Sequence, residues 1–542
     1  MRKLRSVLAA GLLLLAATMT VFTTTTAAQA LDNGVARTPP MGWNSWNTFG
    51  CSINESLIRG MADSIVNTGM RDAGYQYVVV DDCWMNPNRD SGGNLQGDPT
   101  RFPSGMKALG DYIHSKGLKF GLYQAPLDRT CAQYFGSYPG ATGSQGHETQ
   151  DARQFAAWGV DYLKYDWCSP NGTINDQVAT FAKMRDALAA TGRPILYSIN
   201  SNSIHAKTGP QRNWGDVANI WRTTEDIQLV WNTDQTNGYP MGIQNIVNVN
   251  VPLAGYARPG AFNDPDMMEV GRGGMTDTEM RSHFALWAIM ASPLIAGNDI
   301  RTMSAATQTI LKNQNLIAIN QDSLALQAAQ VTGDNNQRVL AKRLANGDVA
   351  VALFNQGSGT TTISTTAAAA GKSGSSFVLR DAWTGATTNS TGAITASVPG
   401  HGTVVYRVSG GTTTPPPSGT ALVSAASGRC LDVPNGTTAN GTQPVIWDCN
   451  GGANQQWTSS GQSIQALGKC LDAPLNATAG AKAQLWDCNG GTNQQWTLNA
   501  DGTVRGSQSG LCLDVDHNLT ANGTLVLLWT CTGAANQRWS RS

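Results

Sequence analysis

Charge is scarce in this chain. Asp, Glu, Lys and Arg make up 14% of 542 residues, and the two signs balance at 37 each. No basic excess is present to hold nucleic acid, and no acidic run to solvate a tail. Histidine is rare too, with six residues, none at ligand spacing, and there is no C-x-x-C pair. Neither a metal centre nor a cofactor is therefore expected. The only long apolar run lies at the extreme N-terminus, so no membrane-spanning bundle is encoded. What the chain has in quantity is Gly, with 59 residues, and Trp, with 16. That much Trp excludes a disordered polymer.

Residues 1–30 read as a secretory signal peptide. Arg2, Lys3 and Arg5 form a basic start, residues 7–15 an apolar stretch, and Ala28-Gln29-Ala30 a cleavage site. The apolar stretch is short of the about 20 residues that a membrane span needs. Export implies an extracellular, oxidising location. The ten cysteines, an even number, then read as five disulfides. Cys51, Cys83, Cys131 and Cys168 lie early, and Cys430, Cys449, Cys470, Cys488, Cys512 and Cys531 close the chain.

Residues 409–418, SGGTTTPPPS, read as an extended Thr/Pro linker. After it, over 419–542, three units repeat at about 40 residues. Cys-Leu-Asp begins at Cys430, Cys470 and Cys512, Trp-x-Cys follows at Trp447, Trp486 and Trp529, and Asn-Gln-x-Trp at Asn454, Asn493 and Asn536. Three units are too few to close a propeller, so a threefold β-trefoil is expected. These motifs resemble the ricin-B-type lectin module over the whole segment. In each repeat an Asp (Asp432, Asp472, Asp514) can accept bonds from vicinal hydroxyls and an Asn (Asn454, Asn493, Asn536) can donate. The resemblance assigns Trp447, Trp486 and Trp529 as stacking rings, and the Gln-x-Trp residues to the core. Gln484 stands two places before its Trp in repeat two, where the others have Val445 and Leu527, which favours repeat two as a binder.

Before the linker, apolar segments alternate with amphipathic ones. Strands are expected at 42–46, 77–81, 120–123, 162–166, 195–199, 220–223, 261–263 and 294–296, with helices at 55–68, 106–116, 150–158, 174–190 and 278–291. Eight such units over 31–325 fit an α/β fold, the (β/α)8 TIM barrel. Short β runs over 326–408 fit an antiparallel β-sandwich. Active sites of such barrels form at the C-terminal strand ends. Those ends carry Asp81-Asp82, Lys164-Tyr165-Asp166, Arg222 with Asp226, and Asn263-Asp264-Pro265-Asp266. The period of two puts Lys164 and Asp166 on one face, where the Lys is expected to keep the Asp ionised. Clustered carboxylates and Trp without metal-binding His point to glycoside hydrolysis.

Five motifs then become specific. Met41-Gly42-Trp43-Asn44-Ser45-Trp46, Asp81-Asp82-Cys83-Trp84, Leu163-Lys164-Tyr165-Asp166, Arg222 with Asp226, and Asn263-Asp264-Pro265-Asp266-Met267 resemble glycoside hydrolase family 27. The resemblance, over residues 31–408, implies a retaining enzyme, most often an α-galactosidase. It makes Asp166 the nucleophile and Asp226 the acid/base. It places Trp46, Asp81, Asp82, Tyr123, Lys164, Arg222 and Asp266 around the sugar, and pairs Cys51 with Cys83 and Cys131 with Cys168. Glu225, displaced by one residue, is the lesser candidate for the acid.

Segment Tyr197-Ser198-Ile199-Asn200-Ser201-Asn202-Ser203 departs from the patterns that read the sugar C2 substituent in α-galactosidases and α-N-acetylgalactosaminidases. Both Asp81 and Asp82 are kept, whereas members cleaving β-L-arabinopyranosides tend to lose one. The expected partner is therefore a galactosyl carbohydrate. An α-N-acetylgalactosaminidase, a β-L-arabinopyranosidase and a non-catalytic lectin are the alternatives.

Overall fold

The computed structural model describes residues 31–542 except 32, 204–205, 414–420, 450–451, 461, 500 and 542. The expected signal peptide and the Pro-rich part of the expected linker lie outside the described residues. Eight parallel strands form the first unit: β1 (Met41–Asn44), β2 (Tyr77–Val80), β3 (Lys119–Gln124), β4 (Tyr162–Asp166), β5 (Leu196–Asn200), β6 (Ile220–Arg222), β7 (Phe262–Asp264) and β8 (Leu294–Ala296). They neighbour one another in the order β7-β6-β5-β4-β3-β2-β1-β8. A parallel bridge from Met268, just beyond β7, to Ala296 of β8 closes the ring. Every observed strand lies within two residues of its expected range.

Helices start where capping groups allow it. Asn54 accepts from the Leu57 N–H before Glu55–Asn67, and Thr173 with Asp176, and Thr276 with Glu279, form reciprocal caps before Ile174–Ala189 and Asp277–Ile289. One connection departs from the regular pattern. Between β5 and β6 the described residues contain only the short 3-10 turn Gly209–Gln211, which packs against the end of β6.

The second unit is a six-stranded antiparallel sheet facing a two-stranded one. Its central strand Val349–Asn355 is buried throughout. Val349, Val351 and Leu353 enter the sandwich core, while Ala350, Ala352 and Phe354 belong to the barrel core. Alternation thus puts each face of one strand into a different core, and a continuous apolar run results. The strand Thr403–Thr413 corrects the expected linker start. Residues 409–413 pair with Lys372–Asp381 across an irregularity between Ser373 and Phe377, opposite Gly410 and Gly411, whose positive φ values of 79° and 56° need glycine.

The C-terminal unit folds as a curled eight-stranded sheet and a four-stranded one, consistent with a β-trefoil. Trp457, Trp496 and Trp539 are buried at its centre, and their indole N–H groups donate to the Leu431, Leu471 and Leu513 carbonyls at 2.8, 2.8 and 3.1 Å. All ten cysteines are paired: Cys51–Cys83, Cys131–Cys168, Cys430–Cys449, Cys470–Cys488 and Cys512–Cys531. No described helix is long and apolar enough to cross a membrane.

Strand spacing in the barrel is set partly by missing side chains. A Cβ on Gly42 would stand 2.4 Å from the Tyr77 carbonyl oxygen. Gly42→Ala is therefore expected to destabilise the barrel by about 1–3 kcal/mol through overpacking. Thermal unfolding against the parent reads this directly, and an unchanged midpoint contradicts it.

Candidate active site

The site begins where β2 stops. Adjacent residues on a continuing strand would face opposite sides. Because the strand ends at Val80, Asp81 and Asp82 both reach the cavity. Cys83 follows with φ 72°, and the turn gives each carboxylate backbone donors. Asp81 accepts from the Asp82 N–H at 2.9 Å, from Asn44 Nδ2 at 2.7 Å and from Lys164 Nζ at 2.8 Å. Asp82 accepts from the Cys83 and Ala132 N–H groups at 2.6 and 2.8 Å. Burial pushes Asp82 up to about 6 despite these bonds.

On β4, Lys164 and Asp166 share the inner face, as their spacing requires. The expected partnership is different, however. Lys164 makes its ion pair with Asp81, across the barrel interior, and spends its hydrogen bond there. Asp166 is left buried, with Oδ1 lacking any hydrogen-bond partner. Burial pushes Asp166 up to about 7, outweighing Lys164 and Arg222, while the charges of Asp226 and Asp81 add to the rise. Lys164 therefore restrains that rise without cancelling it. The cations themselves are held charged, since neighbouring carboxylates outweigh the burial of Lys164 and of Arg222.

Arg222, at the end of β6, joins two loops. Its Nη2 donates to Asp226 Oδ1 and to the Thr224 carbonyl, each at 3.0 Å, and makes an ion pair with Asp266 Oδ2 at 2.9 Å. Asp266 sits past β7 at φ 83°, accepting the Met267 and Ile227 N–H groups at 2.7 and 3.0 Å. The two carboxylates differ in setting. Asp266 is buried, whereas the Asp226 side chain is 53% exposed to the open pocket. Glu225, the lesser candidate for the acid, is buried.

These residues line one cavity of about 710 Å³, together with Trp46 and Tyr123. Its size suits a small sugar ligand. Residues that no motif announced also line it, among them Phe135, Gln228, Tyr239 and Arg272. They lie in loops, where sequence carries no period. Arg272 is anchored by Glu269, which also accepts from Asn47 beside Trp46. Three of the barrel indoles are struts. Trp43, Trp84 and Trp287 donate to the Asn298, Tyr123 and Asp266 carbonyls, each at 2.8 Å, and so pin the pocket rim from behind.

In the trefoil, the expected sugar contacts are partly used internally. Asp432, Asp472 and Asp514 are buried and accept from Asn454, Asn493 and Asn536 Nδ2 at 2.8, 2.8 and 3.0 Å. The same amides also donate to the Val433, Ala473 and Val515 carbonyls at 3.2, 3.2 and 3.3 Å. Both amide protons are thereby engaged within the repeat. The Gln-x-Trp glutamines Gln455, Gln494 and Gln537 also hold the Asp groups. Gln484, the residue peculiar to repeat two, donates to Asp472 at 3.0 Å. Burial pushes Asp432 up to about 7. Trp486 and Trp529 are 39% and 45% exposed, but the Trp447 indole N–H donates to the barrel's Tyr256 hydroxyl at 3.0 Å. Trp447 is thus not open to solvent as its two counterparts are.

A raised carboxyl costs stability where it must ionise. Below its ordinary value of 3.8, Asp166 is protonated in both folded and unfolded chains. As pH climbs from there to about 7 the unfolded chain loses its proton first, so the native state loses ground. Asp166→Asn removes that loss. It is expected to raise the unfolding temperature at about pH 8, by the equivalent of at most about 4 kcal/mol, and to add nothing at about pH 3.5. Unfolding scans at the two pH values test this, and equal gains at both contradict it.

Comparison with known proteins agrees with this architecture. The family described as Alpha galactosidase A matches residues 38–322, the Alpha galactosidase C-terminal beta sandwich domain 334–408, and the Ricin-type beta-trefoil lectin domain 418–539. Alpha-galactosidase A of Cellvibrio japonicus is 44% identical over 393 residues, covering 69% of this chain and 93% of that protein. An alpha-galactosidase of Oryza sativa subsp. japonica is 43% identical over 379 residues, covering 70% and 86%. Among solved structures, alpha-galactosidase I from Mortierella vinacea superposes with TM-score 0.65 at 35% identity, over 71% of this chain and all of that one. With an eight-stranded barrel, a sandwich and matches of this extent, the chain belongs to the alpha-galactosidase family and carries a ricin-type trefoil at its C-terminal end.

Proposed function

We propose that this protein is a secreted, retaining α-galactosidase that removes terminal α-D-galactosyl residues from galacto-oligosaccharides or galactomannan. The observation that carries the reading is the contrast between two carboxylates in one pocket. Asp166 is buried with an unbonded oxygen, and Asp226 is open to the cavity. A nucleophile needs a free, poorly solvated oxygen, and an acid/base must reach the leaving oxygen and then water.

Asp166 Oδ1 attacks the anomeric carbon while Asp226 gives its proton to the departing oxygen. The glycosidic C–O bond breaks as the Asp166–carbon bond forms, leaving a β-linked galactosyl ester. Asp226, now a carboxylate, takes a proton from water, which attacks the same carbon and frees Asp166. Two inversions restore the α configuration. The ion pair with Arg222, at 3.0 Å, holds the Asp226 carboxyl in one place for both steps.

Asp81, Asp82 and Lys164 at the cavity base offer a compact set of acceptors and a donor for sugar hydroxyls, Asp81 and Asp82 serving O4 and O6. At the mouth, Phe135 and Tyr239 are 66% and 56% exposed. Exposed rings beside a polar base suit a leaving group that is itself a sugar, since ring faces of sugars stack on aromatics. The five disulfides support an extracellular location.

Two experiments test the proposal. Nitrophenyl α-galactoside is expected to give a higher kcat/KM than the α-N-acetylgalactosaminide or the β-L-arabinopyranoside. Preference for either of the others replaces the reading. Asp226→Ala is expected to lose about 10²–10⁴-fold in rate on a substrate needing acid assistance. Azide should restore turnover and yield an α-galactosyl azide, whereas Asp166→Gly with azide should yield the β-azide. The opposite stereochemistry would exchange the two roles.

A further inference from the structure

The trefoil supplies its own controls, because its three repeats place equivalent groups in different surroundings. Each candidate stacking indole lies edge-on to a glycine of a neighbouring repeat. A methyl carbon placed on Gly523, Gly441 or Gly480 would stand 3.7, 3.9 or 3.4 Å from Cζ3 of Trp447, Trp486 or Trp529. The three grooves are therefore built alike. Their exposure is not alike, since two indoles are open and Trp447 is bonded to Tyr256, itself 1% exposed and part of the barrel core.

A polar cluster beside the groove repeats the contrast. In repeat two, Lys469 pairs with Asp487 at 2.5 Å and Asn440 Nδ2 donates to the same Asp at 2.8 Å, in solvent, with the Asp487 side chain 68% exposed. In repeat one, Arg429 pairs with Asp448 at 3.0 Å and Asn522 Nδ2 donates to it at 3.0 Å. Here the Asp448 side chain is only 26% exposed. The Asn522 amide also donates to the Gln211 carbonyl of the barrel at 3.2 Å. The same three-residue device faces water in one repeat and protein in the other.

We propose that the groove of repeat one is a docking surface for the catalytic barrel, which leaves repeats two and three as the carbohydrate sites of the intact chain. The occupant is the barrel flank formed by Tyr256 and Gln211. A sugar stacking on Trp447 would have to displace a tyrosine fixed in the barrel core. The inference rests on the reading of the trefoil as a carbohydrate binder, and the tests separate the two.

The first test needs no sugar. Oxidative footprinting of the full chain, read by peptide mass spectrometry, should modify Trp447 several-fold more slowly than Trp486 and Trp529. Tyr256→Phe and Asn522→Ala should bring Trp447 towards the other two. Equal rates for all three indoles in the parent chain overturn the docking. The second test is affinity electrophoresis through galactomannan, in an Asp166→Asn background that prevents cleavage. Asp432→Ala should leave retardation unchanged. Asp472→Ala with Asp514→Ala should lower it to the level reached when all three Asp are replaced. Weaker retardation from Asp432→Ala alone, in a chain whose footprint elsewhere is unchanged, overturns the proposal. If the double variant binds as the parent does, the carbohydrate reading of repeats two and three falls, and the proposal falls with it.

Discussion

Two cations, Arg222 buried and Lys164 largely so, hold the barrel mouth together. Lys164 and Arg222 stand among Asp81, Asp82, Asp166, Asp264 and Asp266, all of them buried. Five acids against two bases leave an excess of negative charge that no solvent can screen, and burying unpaired charge is expensive. The structure answers with geometry first. Asp81 and Asp266 take the cations, and Asp82 and Asp266 collect backbone N–H groups. What geometry leaves uncompensated raises the carboxyls themselves, since burial pushes Asp82 and Asp264 up to about 6 and Asp166 to about 7. The carboxyl that geometry leaves least compensated is the one with a free oxygen at the pocket wall. Reactivity and electrostatic discomfort coincide there.

Such a site needs a rigid rim, and the barrel supplies one from several directions. Buried indoles bond the carbonyls behind the strand ends, two disulfides tie the neighbouring loops, and Glu269 fixes Arg272 and Asn47 beside Trp46. The second unit adds mass behind β8. His401 stacks on Trp231 with ring centroids 4.7 Å apart and reaches Glu279 at 2.7 Å, while Ser282 donates to the His401 carbonyl at 2.6 Å. Carboxylates so placed keep their relative positions without help from a ligand.

The barrel, the sandwich and the threefold repeat were legible because each rests on a periodic signal. Periodicity also put Lys164 and Asp166 on one face. It could not name the partner of Lys164, because the ion pair crosses the interior to Asp81, 83 residues earlier. Adjacent aspartates reaching one cavity depend on where a strand ends, and Asp266 depends on an unusual φ. Phe135, Tyr239 and Arg272 were unreadable because loop residues meet only in the folded chain. The Trp447 indole was recognisable as one of three, but its contact with Tyr256 joins positions 191 apart in sequence. The start of the linker was misplaced for a local reason. A Gly-Gly pair reads as flexible, yet here it lies inside a strand, opposite an irregularity in the strand it pairs with.

The strand Val349–Asn355 bears on how such a chain can be assembled from parts. Because its alternate residues belong to separate cores, cutting before the sandwich would strip an apolar face from the barrel and expose Leu340, Ala350, Ala352 and Phe354. Among the described residues, the trefoil meets the barrel through hydrogen bonds at Tyr256 and Gln211. For gene fusion or recombination, barrel and sandwich therefore travel as one inheritable piece. The trefoil is the cargo that can be exchanged.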